Sequence, residues 1–137
     1  MHIEQTAIFN RFYFNHFKRP TVHIHPVSSF GMGELFEAGD YLDQGDCILM
    51  AADRAFGMPQ SVTFLGKPAT FPKGVYRFAK LLEHPIYFVV CYRIRRNCYR
   101  VEARPLSAEQ DLLTQFIAAL EPFVQAHPEQ WYNWELL

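Results

Sequence analysis

Asp53 and Arg54 stand side by side at the end of a short apolar run, residues 47–52. An acid next to a guanidinium can orient a polar substrate, or it can simply pair with nearby backbone. Downstream, Lys73, Arg77 and Lys80 recur at spacings of four and three. On a helix that spacing gathers the three cations on one face. Such a stripe suits an anionic headgroup or an acidic protein surface, where charge speeds encounter and sets register. The same pattern also fits a solvated face. Pro72 suits a first helical turn, whose free N–H groups favour a phosphate. Gly74 beside it leaves room for substrate or backbone to approach closely.

Other reactive types are less well placed. Cys47, Cys91 and Cys98 form no CxxC pair, which argues against a zinc ribbon or a disulfide scaffold. Cys47 and Cys91 fall inside apolar runs that disfavour a thiolate, and Cys98 begins a strand beside arginines. His23 and His25 share a strand face, but no further metal ligand is placed by the sequence. Arg93, Arg95, Arg96, Arg100 and Arg104 crowd one hairpin. They suit contact with anionic lipid or a charged edge that resists aggregation. Trp131 and Trp134 suit a membrane interface or a lid over the core, and packing is the better reading.

Elements must hold these groups in place. Aromatic spacing from Phe9 to Arg19 suggests an amphipathic helix, and Thr21 to His25 alternates like a strand. Ser28 and Ser29 are cap candidates for a helix from Met32 to Gln44, with Met32, Leu35, Phe36, Gly39 and Leu42 on its apolar face and Gly45 as its stop. Cys47 to Ala52 reads as a strand buried on both faces, with Asp53 and Arg54 at the sheet edge where ligands commonly bind. Ser61 to Leu65 reads as a strand. Val75, Phe78, Ala79 and Leu82 form the apolar stripe of the helix after Pro72. Pro85 to Tyr92, read as a buried strand, pairs with Cys98 to Arg104 in a hairpin turning near Arg96 and Asn97. Ser107 with Gln110 resembles a capping box, and Leu112 to Val124 carries a strong helical period that Pro122 should kink or shorten. The expected fold class is α/β, a mixed sheet with packed helices, with strand order unreadable.

The chain has 137 residues, half of them hydrophobic, and a formal net charge of -1. That composition excludes a disordered tail and a nucleic-acid module driven by bulk charge. No apolar stretch reaches the eighteen or so residues of a membrane helix, and the N-terminus lacks the pattern of a signal peptide. Contact with a membrane would therefore be peripheral.

Four separated segments together resemble the lipid A biosynthesis acyltransferases, the lauroyl/myristoyl-transferase type of lysophospholipid acyltransferase. They are Ile48-Leu49-Met50-Ala51-Ala52-Asp53-Arg54, then Phe64-Leu65-Gly66-Lys67-Pro68-Ala69, then Phe71-Pro72-Lys73-Gly74 with its helix, and His84-Pro85-Ile86-Tyr87-Phe88-Val89. The ending Glu129-Gln130-Trp131-Tyr132-Asn133-Trp134 is similar to the family's C-terminal Gln-Trp motif. The resemblance spans roughly Pro20 to Trp134. Asp53-Arg54 and the Tyr-Asn-Trp ending resemble a predicted-acyltransferase branch, where the classical enzymes usually carry Asp-Gln.

The resemblance implies transfer of a fatty acyl group from an acyl-carrier thioester to a hydroxyl on a lipid or glycolipid. Its expected partners are acyl carrier protein or an acyl thioester, the lipid acceptor and a membrane surface, with no nucleic acid and no metal or organic cofactor. The implied location is cytoplasmic, peripheral on the cytoplasmic face of the inner membrane. The implied substrate-binding residues are Asp53, Arg54, Phe71, Pro72, Lys73, Gly74, Arg77 and Lys80. The family's base is a His followed five residues later by Asp or Glu. Five residues after His2, His16, His23, His25, His84 and His127 stand Ala7, Thr21, Ser28, Phe30, Val89 and Tyr132. None is acidic, so no catalytic residue is assigned. Residues 1–137 are expected to form a single domain resembling the C-terminal half of the enzyme, inactive alone. The alternative is a non-catalytic module that binds acyl carrier protein or anionic lipid.

Overall fold

The computed structural model describes residues 31–53 and 59–132. The expected helix and strand at 9–25, the Ser28-Ser29 cap, Arg54 and Trp134 lie outside the described residues. Helix α1 (Met32–Asp43) is followed by strands β1 (Pro59–Phe64) and β2 (Lys67–Pro72). Helix α2 (Lys73–Leu81), strands β3 (Ile86–Arg95) and β4 (Cys98–Leu106), helix α3 (Leu112–Ala126) and a 3-10 turn (Pro128–Gln130) complete the order. The expected α/β class with packed helices holds. The strand pairing, unreadable from sequence, is two antiparallel sheets, β1 with β2 and β3 with β4.

Both sheets are tight hairpins. The β1–β2 loop is Leu65-Gly66, with φ of 51° and 76°. Positive φ at both central residues suits the right-handed twist of flanking strands, and Gly66 adopts it without steric cost. Leu65 does not have that freedom. Its cost is offset because its N–H donates to Glu121 Oε1 at 2.7 Å and its side chain packs against the core. The β3–β4 loop is Arg96-Asn97, as expected, with Asn97 at φ 58°. Strand β2 escapes a reading by pattern because Pro68 and Pro72 break it. A two-stranded ladder leaves one edge of each strand free, so both prolines are tolerated.

One core joins these pieces. Phe64, Ala69, Phe71, Phe88, Leu113, Leu120, Val124 and Trp131 are buried together. Phe116 of α3 is its aromatic hub, with ring centroids 6.3 Å from Phe71, 5.7 Å from Tyr76 and 5.4 Å from Phe88. These are edge contacts, which the ring quadrupole favours. Pro122 does not stop α3, which runs on to Ala126.

Several expectations are corrected. Residues 47–52 are not a strand. They are irregular and mostly exposed, with Leu49 87% accessible. Among the described residues each strand has paired with its chain neighbour, so this run finds no ladder, and its Ala52 carbonyl accepts from a side chain instead. Asp53 therefore lies at no sheet edge. Strand β3 is buried on one face only: Phe88 and Tyr92 are inside, Tyr87, Val89 and Cys91 outside. Cys47 and Cys91 are accordingly exposed. The apolar face assigned to α1 is only partly covered, with Leu35, Gly39 and Leu42 half-buried. Met32 and Phe36 are exposed and Ala38 is its buried residue. Its cap is one-sided, at Gly31, whose N–H donates to Glu34 Oε2 at 2.9 Å. Asp111, not Ser107, caps α3: its Oδ2 accepts from the Thr114 N–H at 2.8 Å and the Thr114 hydroxyl at 2.6 Å. Ser107 lies in the preceding turn, where its N–H and carbonyl are taken by Gln115.

Candidate functional site

Helix α2 presents its two stripes as expected. Phe78 is buried and Val75, Ala79 and Leu82 are half-buried, while Lys73, Arg77 and Lys80 stand exposed. The three cations line a shallow groove of about 120 Å³ between α2 and the start of α3. Gln60, Tyr76, Gln110, Asp111, Leu112 and Leu113 complete its wall. The sequence singled out the cations but not Tyr76 or Gln60, and it read Gln110 only as part of a helix cap. The signal for Tyr76 was available, since positions 73, 76, 77 and 80 share one helical face.

Tyr76 connects the groove to the irregular segment. Its hydroxyl donates to the Ala52 carbonyl at 2.7 Å. Burial, and then the negative charges of Asp53 and Asp111, push this hydroxyl far above the ordinary tyrosine value. Tyr76 is thus a fixed neutral donor rather than an acid–base group near neutral pH. Asp53 follows Ala52 directly, and its Oδ2 accepts from the Trp131 indole N–H at 3.3 Å. Asp111 faces the groove from the start of α3. Its carboxyl is held below the usual range, first by the Thr114 hydroxyl, then by the Thr114 backbone N–H, with a smaller contribution from Lys80. The groove thus holds three cations against one capping carboxylate, an arrangement suited to a compact anion.

The remaining sequence candidates take different places. Phe71 and Pro72 are fully buried, so they hold the turn into α2 from beneath. Gly74 is exposed, and a Cβ there would meet nothing within 4 Å. No crowding by backbone requires glycine at that position. The structure therefore gathers Asp53, Lys73, Arg77 and Lys80 around Tyr76, with Phe71, Pro72 and Gly74 at the head of the helix. A second hollow, of about 600 Å³, is an open basin lined by Arg93, Ile94, Arg95, Arg96, Glu129 and Gln130. It contains none of the sequence candidates from Asp53 to Lys80.

Among the described residues no helix is long and apolar enough to cross a membrane. The profile of the bacterial lipid A biosynthesis acyltransferases matches residues 5–134. The chain belongs to that family. No curated protein and no solved structure matches it.

Proposed function

We propose that this chain forms the substrate-binding side of an acyltransferase, with the groove over α2 taking an anionic group of the acyl acceptor or of the acyl carrier. In the intact reaction a general base removes the proton of the acceptor hydroxyl. The oxygen attacks the thioester carbonyl, and donors at the site stabilise the tetrahedral oxyanion. Collapse expels the carrier thiolate and leaves an ester. The observation that carries this reading is convergence. Tyr76, which lines the groove with Lys73, Arg77 and Lys80, holds the Ala52 carbonyl directly before Asp53, so two segments marked separately in the sequence are joined through its hydroxyl.

Asp53, Arg54, Phe71, Pro72, Lys73, Gly74, Arg77 and Lys80 belong to binding in this reading, and none is a base. No histidine of the chain is followed five residues on by an acid. The 137-residue chain alone is therefore expected to show no acyl transfer above background. Robust turnover with an acyl-carrier thioester and a lipid acceptor overturns that part.

Binding is tested with dodecyl phosphate by following the backbone amide resonances of residues 73–80. Arg77→Ala with Lys80→Ala is expected to weaken binding about tenfold or more. Raising salt should weaken it too, because exposed charges are screened. Unchanged affinity in that variant overturns the groove. The exposed cations equally support the non-catalytic reading, in which acyl carrier protein or anionic lipid binds without turnover. A transfer assay with a partner polypeptide supplying the base separates the two.

A further inference from the structure

Residues 130 and 131 end the 3-10 turn and point opposite ways. The Gln130 carboxamide reaches strand β3: it accepts from the Arg93 N–H at 2.7 Å and donates to the Arg93 carbonyl at 3.1 Å. Trp131 turns inward. Its side chain is buried and its ring lies 5.2 Å from Phe64. Packing fixes the indole plane, and the one polar hydrogen of an indole then has one direction to point. That direction holds Asp53 Oδ2, 78 positions earlier in the chain. From the other side, Tyr76 holds the Ala52 carbonyl. The segment at 52–53 has no regular secondary structure, so these two side-chain donors take the place of a ladder.

We propose that Gln130 and Trp131 act as a positioning clasp: Gln130 anchors the turn on β3, and Trp131 fixes the Asp53 carboxylate near Tyr76. Trp131 is a positioning residue, acting through Asp53. The role of Asp53 in binding rests on the function proposed above; the clasp itself does not.

The test uses the 137-residue chain and Trp131→Phe, which keeps a ring against Phe64 and removes the N–H. Backbone 15N relaxation reads the segment directly. Order parameters at Ala52 and Asp53 should fall from about 0.85 towards 0.6, with the strands and α3 unchanged. Unchanged order at 52–53, or a loss spread over the whole fold, overturns the clasp. Asp53→Ala gives the reciprocal reading without touching the aromatic core. The Trp131 indole proton should exchange at least several-fold faster, and unchanged exchange again overturns it. Dodecyl phosphate affinity then separates the clasp from the function. Trp131→Phe should shift that affinity in the same direction as Asp53→Ala, and no further once Asp53→Ala is present. Additive shifts overturn action through Asp53. If the parent chain binds no dodecyl phosphate, the groove reading fails, while relaxation and exchange still decide the clasp.

Discussion

The β1–β2 hairpin buries Phe64, Ala69, Phe71 and Pro72 beneath α3 and Trp131. The β3–β4 hairpin is longer and more apolar, yet it covers one face alone. Phe88 and Tyr92 point to α3, while Tyr87, Val89, Tyr99 and Val101 remain 57%, 46%, 64% and 65% accessible. The register puts these outward residues together, pairing Tyr87 with Pro105, Val89 with Ala103 and Cys91 with Val101. Both hairpins have two-residue loops and antiparallel ladders, so pairing does not separate them. The difference lies in what is packed on them. Local turn chemistry suffices to make a hairpin, whereas its contribution to stability depends on a second layer.

Three substitutions measure that difference. Phe71→Ala should have the largest effect, lowering stability by about 3–5 kcal/mol through lost burial and the cavity left behind. Val101→Ala, at an outward position of β4, should change it by less than about 0.5 kcal/mol. Urea unfolding of the two variants checks the contrast, which breaks if they cost the same. Gly66→Ala should be intermediate, costing about 1 kcal/mol, because a side chain at φ 76° is strained even though the space is open.

A fourth substitution sharpens the view of α3, which both hairpins share. Asp111→Ala should cost about 1 kcal/mol at neutral pH through loss of the cap. The Asp111 carboxyl is depressed in the folded chain, so its contribution is full above the ordinary carboxylate range. It fades as pH falls through the lower folded value. The melting curves of parent and variant should therefore converge on acidification. A constant gap would mean that the carboxylate charge is not what caps the helix.

What was legible in the sequence was local. The period from Leu112 to Val124, the turn at Arg96-Asn97, the stop at Gly45 and the two stripes of α2 all stand where residue type predicts. These depend on neighbours a few positions away. The run at 47–52 was misread because a continuous apolar stretch says nothing of whether a strand lies beside it. The cap of α3 went to Asp111 because its carboxylate sits directly before the first turn, where Ser107 cannot reach. At the candidate site the cations were legible, but the bond from Tyr76 to Ala52 and that from Trp131 to Asp53 join residues 24 and 78 apart. No periodicity reports such a distance.

The Gln130 carboxamide has one more effect. In an antiparallel pair a residue's N–H and carbonyl point to the same side, alternately towards the partner strand and away from it. At Arg93 both are engaged by Gln130, so its amide copies one peptide unit of a neighbouring strand. A bulge between Arg93 and Arg95 disturbs the ladder at the same place. Bulges and occupied backbone groups are devices that stop one chain from templating another. A single side chain thus occupies, at the end of β3, the backbone groups through which another strand could pair with it.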